Sequence, residues 1–182
     1  MSIAFGVNIN FYLHQKIFYV IIKLVIVMEK NKLKTGAAVV YSTRGVCRIT
    51  DVIARTFERE TKDYYVLTPV FDNRSTYFIP VDYDSEKEHI KKALTKPQAR
   101  ELLAFAKEAA PLEWIASPNE RKQLYDWIYK AEARELKVQL IKALRLHEQQ
   151  QKAHGKQLYA SDARILSGCE ALIGDELAFV LG

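Results

Sequence analysis

A change of character near residue 83 constrains the fold of this chain more than any other feature. Before this point β-branched and aromatic residues alternate between turn signals, and after it Ala, Leu, Glu, Lys and Gln predominate. Alternation is typical of half-buried strands, whereas apolar residues at every third or fourth position indicate amphipathic helices. The sequence therefore predicts an α+β protein, with a small β domain followed by an all-α domain.

The residues before this change predict four or five short strands. Strands are expected at residues 37–41, 46–53, 64–68 and 75–79, and a turn ending in Gly45 separates the first two. Pro80 follows the last strand, where its missing N–H cannot continue a ladder. Such a run of short strands is typical of a small open barrel of the SH3 or Tudor type.

The residues after the change carry signatures of helix N-termini. Three pairs match the capping box, in which two residues satisfy each other's backbone N–H groups: Ser85 with Glu88, Thr95 with Gln98, and Ser117 with Glu120. Apolar residues then recur at helical spacing, and the spacing places Trp127 with Leu124 and Ile128 in a core. We predict a helical bundle of four or five helices.

The first 27 residues differ from the rest. Residues 17–27 are strongly apolar, but they are only eleven and include Lys23, whereas a spanning helix needs about 20 residues. No small-residue cleavage site of a signal peptide precedes Met28. We therefore expect residues 1–27 to lie outside the native fold, residues 28–83 to form the β domain and residues 84–182 to form the helical domain.

Charge and motifs narrow the function classes. Basic residues outnumber acidic ones by 27 to 22, and from Met28 onward by 25 to 22, a net charge of +3. This permits nucleic-acid contact without requiring it. The sequence lacks the common catalytic motifs, and Cys47 and Cys169 lack the spacing of a zinc site. We expect a cytoplasmic, non-enzymatic protein with reduced cysteines, no cofactor and no metal.

Several motifs occur in an order and spacing that resemble the CarD family of RNA-polymerase-binding transcription regulators, whose N-terminal domain is shared with transcription-repair coupling factor. The motifs are Gly36-x-x-Val-Val-Tyr-x-x-x-Gly-Val46, Tyr64-Tyr-Val-Leu67, Tyr77-Phe-Ile-Pro-Val81, and Leu158-x-Ala-x-Asp-x-Arg-Ile-Leu166 followed by Glu176-Leu-Ala178. The chain departs from the family at four positions, Ala37, Ser42, Arg44 and Phe78, where members carry Asp, Pro, His and, in some, a basic residue.

The resemblance implies a bacterial, cytoplasmic, monomeric regulator without a small-molecule substrate. Its β domain would dock on the β subunit of RNA polymerase by strand addition, because an exposed strand edge offers unpaired N–H and C=O groups. The expected polymerase-binding residues are Thr76, Tyr77, Phe78, Ile79, Pro80 and Val81. For Tyr77 and Ile79, which share one face of the strand, a core position is an equal alternative.

The resemblance also implies that the helical domain stabilises the open promoter complex through DNA contact that is not sequence-specific. An apolar wedge can hold an unstacked base step in the minor groove, and Trp114 is the expected wedge. Basic residues nearby would contact phosphates: Arg121 and Lys122, with Lys130 and Arg134 as auxiliary contacts.

Two other classes of protein remain open from the residues alone. Ribosomal and elongation-factor barrels share the pattern of a strand, a glycine turn and a second strand, so a small-barrel protein that binds RNA or ribosomes is one alternative. A scaffold anchored in a membrane through residues 11–27 is the other. Copurification with polymerase or with ribosomes distinguishes the first alternative, and membrane fractionation the second.

Overall fold

The computed structural model describes residues 33–57, 60–72, 74–83 and 89–182. Residues Lys34–Gly182 form one compact unit. The expectations for residues 1–27 and for a helix start at Ser85 lie outside the described residues. In the described part of the chain, no helix is long and apolar enough to cross a membrane.

The described part of the first half folds into an antiparallel sheet. Its strands are β1 (Ala38–Tyr41), β2 (Val46–Phe57), β3 (Glu60–Pro69), β4 (Tyr77–Pro80) and β5 (Ile90–Lys92). The sheet has the order β4-β3-β2-β1-β5. Strands β4 and β5 are the two edges and do not pair with each other, so the sheet is open and the expected barrel is not closed.

Alternation along the strands places one face of the sheet in a core. The side chains of Val39, Ile49, Leu67 and Ile79 are completely buried, and all four are apolar residues of the kind that stabilise a pleated, covered face. A register shift between Ile49 and Asp51 interrupts the pairing of β2 with β3. Such a bulge bends a strand and strengthens its twist.

The turn between β1 and β2 explains one departure from the family. Residues Ser42–Arg44 form a short 3-10 helix, and Ser42 has a φ of 44°. The ring of proline holds φ near −65° and excludes this conformation. Serine in place of the family's proline therefore accompanies a turn of different backbone geometry.

Four helices follow in the described residues: α1 (Lys96–Glu108), α2 (Pro118–Lys130), α3 (Arg134–Ala153) and α4 (Ala160–Leu181). Thr95 and Gln98 form the predicted capping box at the start of α1. The capping box predicted at Ser117 is wrong, because the Ser117 side chain makes no cap hydrogen bond.

The helices pack around a shared core. Its largest cluster contains buried residues from α2, α3 and α4: Tyr125, Ile128, Leu140, Leu144, Ile165, Leu166 and Cys169. The core position predicted for Trp127 is wrong, because 44% of this residue is exposed. Ile128 is buried as predicted, but the other buried residues of α2 are Arg121 and Tyr125 and not Leu124 and Trp127.

Candidate functional site

Strand β4 is an edge of the sheet, and its hydrogen-bond pattern shows which backbone groups face outward. Ile79 lies opposite Tyr65 in the register with β3, and the Val81 N–H donates to the Asp63 carbonyl over 2.9 Å. Residues of an antiparallel ladder alternate between bonding inward and facing away. Val81, Ile79 and Tyr77 therefore bond inward, and the N–H and C=O of Phe78 face away from β3.

The side chains of β4 divide between the core and the surface. Ile79 is fully buried and so belongs to the core. The Tyr77 ring is half-buried, with its centroid 5.6 Å from that of Tyr41. The Phe78 ring lies under the guanidinium of Arg55 at 3.7 Å. This contact places a basic group over the strand at the position where some family members carry a basic residue.

The neighbours of β4 have different exposures. Thr76 is exposed, whereas Pro80 and Val81 are half-buried. The Pro80 carbonyl accepts a hydrogen bond from the Tyr83 N–H at 3.0 Å, so this group is already used within a turn. Within β4, the outward backbone groups that remain available are thus those of Phe78.

The opposite edge, β5, is covered by the helices. Arg134 donates from Nη2 to the Lys92 carbonyl at 3.1 Å and forms an ion pair with Glu176 at 2.6 Å. The same Glu176 oxygen, Oε1, also accepts a hydrogen bond from the Leu94 N–H at 3.0 Å. This placement argues against the auxiliary phosphate contact predicted for Arg134, because its guanidinium is committed to the protein.

Lys91 of β5 also reaches the helices, where its ammonium donates to the Glu132 carbonyl just beyond the end of α2. Burial, followed by the charges of Arg134 and Lys137, lowers the pKa of Lys91 to about 7. Lys137 donates to the neighbouring Ala131 carbonyl, and burial lowers the pKa of this lysine to about 8. Two lysines therefore cap the carboxyl end of α2, where the helix dipole favours cations.

Trp114 and Arg121 belong to one packed arrangement. Trp114 is half-buried against the main helical core, its ring stacks on His147 at a centroid distance of 3.6 Å, and the Arg121 guanidinium lies 4.6 Å from the indole centroid. Arg121 is itself 3% exposed and pairs with Asp162 at 3.1 Å. This environment argues against a phosphate contact by Arg121 and against insertion of the Trp114 ring into DNA.

The remaining predicted DNA contacts, Lys122 and Lys130, are exposed on α2. They are accompanied by an apolar stripe that the sequence analysis placed in the core: Trp127 is 44% exposed and Leu124 is 37% exposed. Lys130 follows Trp127 by three residues and so lies on the same side of the helix. The exposed combination of an aromatic ring and a cation is thus at Trp127, not at Trp114.

Sequence reasoning missed His147, Tyr159 and Asp162 as members of this region. Arg121 and Asp162 lie 41 residues apart. The sequence alone gives no sign that they form a buried pair, because arginine and aspartate are usually exposed to solvent. Tyr159 is 64% exposed, and a lone tyrosine before a helix carries no sequence signal. The motif that contains Asp162 was noted only for its resemblance to the family.

Metal and thiol chemistry find little support in the described residues. No group of three or more His, Cys, Asp or Glu side chains there could hold a metal ion. Cys47 and Cys169 are both buried and free. Burial raises the pKa of each thiol to about 11, which disfavours the reactive thiolate.

Comparison with protein families gives one match. Residues 33–92 match the model of the CarD-like/TRCF RID domain, a span that runs from the residue before the first glycine turn to the end of β5. No curated protein is significantly similar to the chain. The match covers all five strands of the sheet and both of its edges. Residues 33–92 are therefore similar to the CarD-like/TRCF RID domain, and the resemblance to the CarD family is confirmed for this part of the chain.

Proposed function

We propose that the chain is a non-catalytic regulator that docks on the β subunit of RNA polymerase through strand β4 and stabilises the open promoter complex through its helical part. The RID family binds the β subunit, and the observation that supports docking through β4 is the outward backbone of Phe78 at a sheet edge. An incoming strand would pair with these groups, because strand addition uses main-chain hydrogen bonds for affinity.

A proline scan of β4 in the full chain tests the docking. Phe78→Pro removes an N–H that faces away from β3, and proline is tolerated at such edge positions. We expect this variant to keep its fold and to lose at least about tenfold in affinity for polymerase, since it loses a main-chain bond and blocks the approach of a strand. The measurement is capture of purified polymerase core enzyme, with circular dichroism as the check on folding.

Two matched variants separate backbone from side chain. Phe78→Ala keeps the N–H and should bind more tightly than Phe78→Pro. Ile79 is unsuitable as a probe because a charge at this fully buried position would unfold the sheet. Equal binding of wild type and Phe78→Pro would refute docking through β4, and copurification with ribosomes in place of polymerase would favour an RNA-binding protein.

For the DNA contact we propose the exposed face of α2, with Trp127 as the apolar group and Lys122 and Lys130 as phosphate contacts. An exposed aromatic ring can enter an opened base step, and lysines position a protein on the backbone. The exposure of Trp127 supports this choice over Trp114, whose ring packs against the core, His147 and Arg121.

The two tryptophans offer a direct comparison. We expect Trp127→Ala to leave the melting temperature nearly unchanged and to shorten the lifetime of open complexes on competitor challenge. Trp114→Ala should instead destabilise the fold, and by up to about 3–5 kcal/mol if the packing cannot collapse around the cavity. A normal open-complex lifetime for Trp127→Ala, or a destabilisation as large as that of Trp114→Ala, would contradict the assignment.

A further inference from the structure

The helices enclose a groove that neither docking on polymerase nor the exposed face of α2 uses. Its volume is about 590 Å³, and it lies between the start of α2, the end of α3 and the start of α4. Pockets of 300–1,000 Å³ are typical of small-molecule sites. The groove is therefore large enough for a single nucleotide.

The walls of the groove are aromatic and rigid. Trp114 and its stacked partner His147 form one side, and Tyr159, 64% exposed, forms another. The guanidinium of Arg121 lies between them, 4.6 Å from the Trp114 centroid and 5.6 Å from the Tyr159 centroid. Exposed aromatic rings on which bases stack are the usual means of binding unpaired nucleotides.

Arg121 is held in place by several acceptors. Its Nε donates to Asp162 at 3.1 Å, and its Nη1 donates to the Ile115 carbonyl at 2.8 Å and to the Ala116 carbonyl at 3.3 Å. Burying an ion pair such as Arg121–Asp162 is a poor means of gaining stability, because desolvation offsets the attraction. The Arg121 guanidinium, held beside two rings, therefore shapes the floor of the groove, while its charge is balanced by Asp162.

The charge of the groove favours an anion. Lys156 is exposed at the rim, Gln151 and Gln157 supply amide groups, and among the described residues no Asp or Glu lines the groove. Helices α2 and α4 both begin here, and neither has a side-chain cap at its N-terminus. Helix α2 begins with Pro118, which has no N–H, so the uncapped N–H groups at the start of α4 are the ones that suit a phosphate.

We propose that this groove binds one unpaired nucleotide, with the base stacked on Tyr159 and the phosphate near Lys156. Trp114 is then a wall of the site. Gln151 and Gln157 line the same groove, and Gln151 Nε2 lies 3.3 Å from Nε2 of His147. The inference goes beyond the proposed function, because it depends neither on docking through β4 nor on the exposed face of α2.

Binding can be followed by the fluorescence of Trp114, because the chain contains only two tryptophans and Trp127→Phe leaves Trp114 as the only one. All groove variants are compared in this same background, so that any change at the α2 face is common to all of them. The probes are adenosine monophosphate, a short single-stranded oligodeoxyadenylate, and a duplex of the same length. We expect the oligonucleotide to quench Trp114 and the duplex to quench it less. If the monophosphate quenches Trp114 at a concentration similar to that of the oligonucleotide, the ligand is a free nucleotide. If only the oligonucleotide quenches, the ligand is a nucleotide within a DNA strand.

Variants of the stacking ring decide the proposal. Tyr159→Ala should weaken binding by about tenfold, in the range reported for loss of one base–aromatic stack, whereas Tyr159→Phe should restore it. Phe71→Ala, at an aromatic residue that is 55% exposed elsewhere, is the control and should bind as wild type does. The proposal would be overturned if neither the monophosphate nor the single-stranded oligonucleotide quenched Trp114. It would also be overturned if Tyr159→Ala bound the oligonucleotide as tightly as the chain with Tyr159 does.

The outcomes also separate this inference from the proposed function. A chain that ignores polymerase but binds the oligonucleotide would refute the docking and leave the groove standing. A chain that captures polymerase and prolongs open complexes, with no effect of Tyr159→Ala on oligonucleotide binding, would refute the groove alone. Lys156→Ala should reduce the salt dependence of oligonucleotide binding, because one phosphate contact is lost.

Discussion

The two edges of the sheet, β4 and β5, meet different surroundings although they belong to the same sheet. On β5 the hydrogen bond from the Ala93 N–H to the Ala38 carbonyl fixes the alternation, so the Lys92 carbonyl faces outward. Arg134 from α3 fills that position by donating to this carbonyl. On β4 the outward groups of Phe78 have no such side chain over them in the described residues.

This difference indicates which edge is available to a partner. A strand edge is a hazard unless it is covered, charged or short, and this protein covers β5 with its own helices. Glu176 of α4 holds this cover in place, because it pairs with Arg134 and accepts a hydrogen bond from the Leu94 N–H. The sheet therefore has one edge that joins it to the helices and one edge left for an incoming strand.

Removing the carboxylate that holds the closed edge should have the largest effect on stability. Glu176→Ala leaves Arg134 without its buried partner, and loss of one member of a buried pair typically costs about 3–5 kcal/mol. Urea denaturation followed by circular dichroism measures the change. Asp72→Ala removes an exposed carboxylate paired with Arg74 and should leave the midpoint unchanged. A Glu176→Ala midpoint equal to that of wild type would show that the helices do not need this pair to cover β5.

A smaller effect is expected from pH at the same edge. The pKa of Lys91 is about 7 in the folded protein against 10.5 for an ordinary lysine, so the unfolded chain binds more protons between these two values. The free energy of unfolding should therefore rise as pH increases from 7 towards 10.5. Lys137, with a pKa of about 8, contributes in the same direction.

Lys91→Met isolates the contribution of Lys91. This variant should melt at a higher temperature than wild type near pH 7, and the difference should shrink by pH 9.5, because the wild-type lysine becomes neutral in the folded state. Denaturation midpoints at both pH values measure this. A difference that stays constant across the range would mean that Lys91 remains charged at the edge.

The open edge should show the smallest effect on stability. Phe78→Pro removes no hydrogen bond between β4 and β3, so its midpoint should stay close to that of Phe78→Ala. Tyr77→Pro is the matched comparison, because the Tyr77 N–H faces Leu67 of β3 in the register. Loss of this N–H breaks a hydrogen bond of the ladder, so Tyr77→Pro should lower the midpoint more than Phe78→Pro does. Equal destabilisation by the two prolines would show that the outward assignment of Phe78 is wrong.

The sequence predicted the open edge better than the closed one. The strand predicted at residues 75–79 overlaps β4, although β4 begins at Tyr77 and includes Pro80, which was predicted to end it. Strand β5 was missed because Ile90-Lys-Lys92 is short, has no alternation and follows a pattern that suggested a helix at Ser85. Its conformation depends on pairing with β1, about 50 residues away, which no local pattern records.

The helical part shows a similar limit. Four or five helices and the Thr95 capping box were predicted, and the described residues contain four helices and this capping box, whereas part of the buried face of α2 was placed incorrectly. Arg121 occupies a core position because Asp162 neutralises it, and this rotates Trp127 and Leu124 to the surface. Hydrophobic periodicity assigns charged residues to the surface, so it cannot predict a buried arginine. The groove could not be predicted either, because buried Arg121 forms part of its lining.

The length and the final residue of β4 have a consequence for the behaviour of the protein at high concentration. The strand has only four residues and ends in Pro80, so two copies of the chain could share very few main-chain bonds through this edge. Short edges and prolines are common protections against growth of sheets from one molecule to the next. An exposed strand can thus serve recognition of a different protein without making the chain assemble with itself.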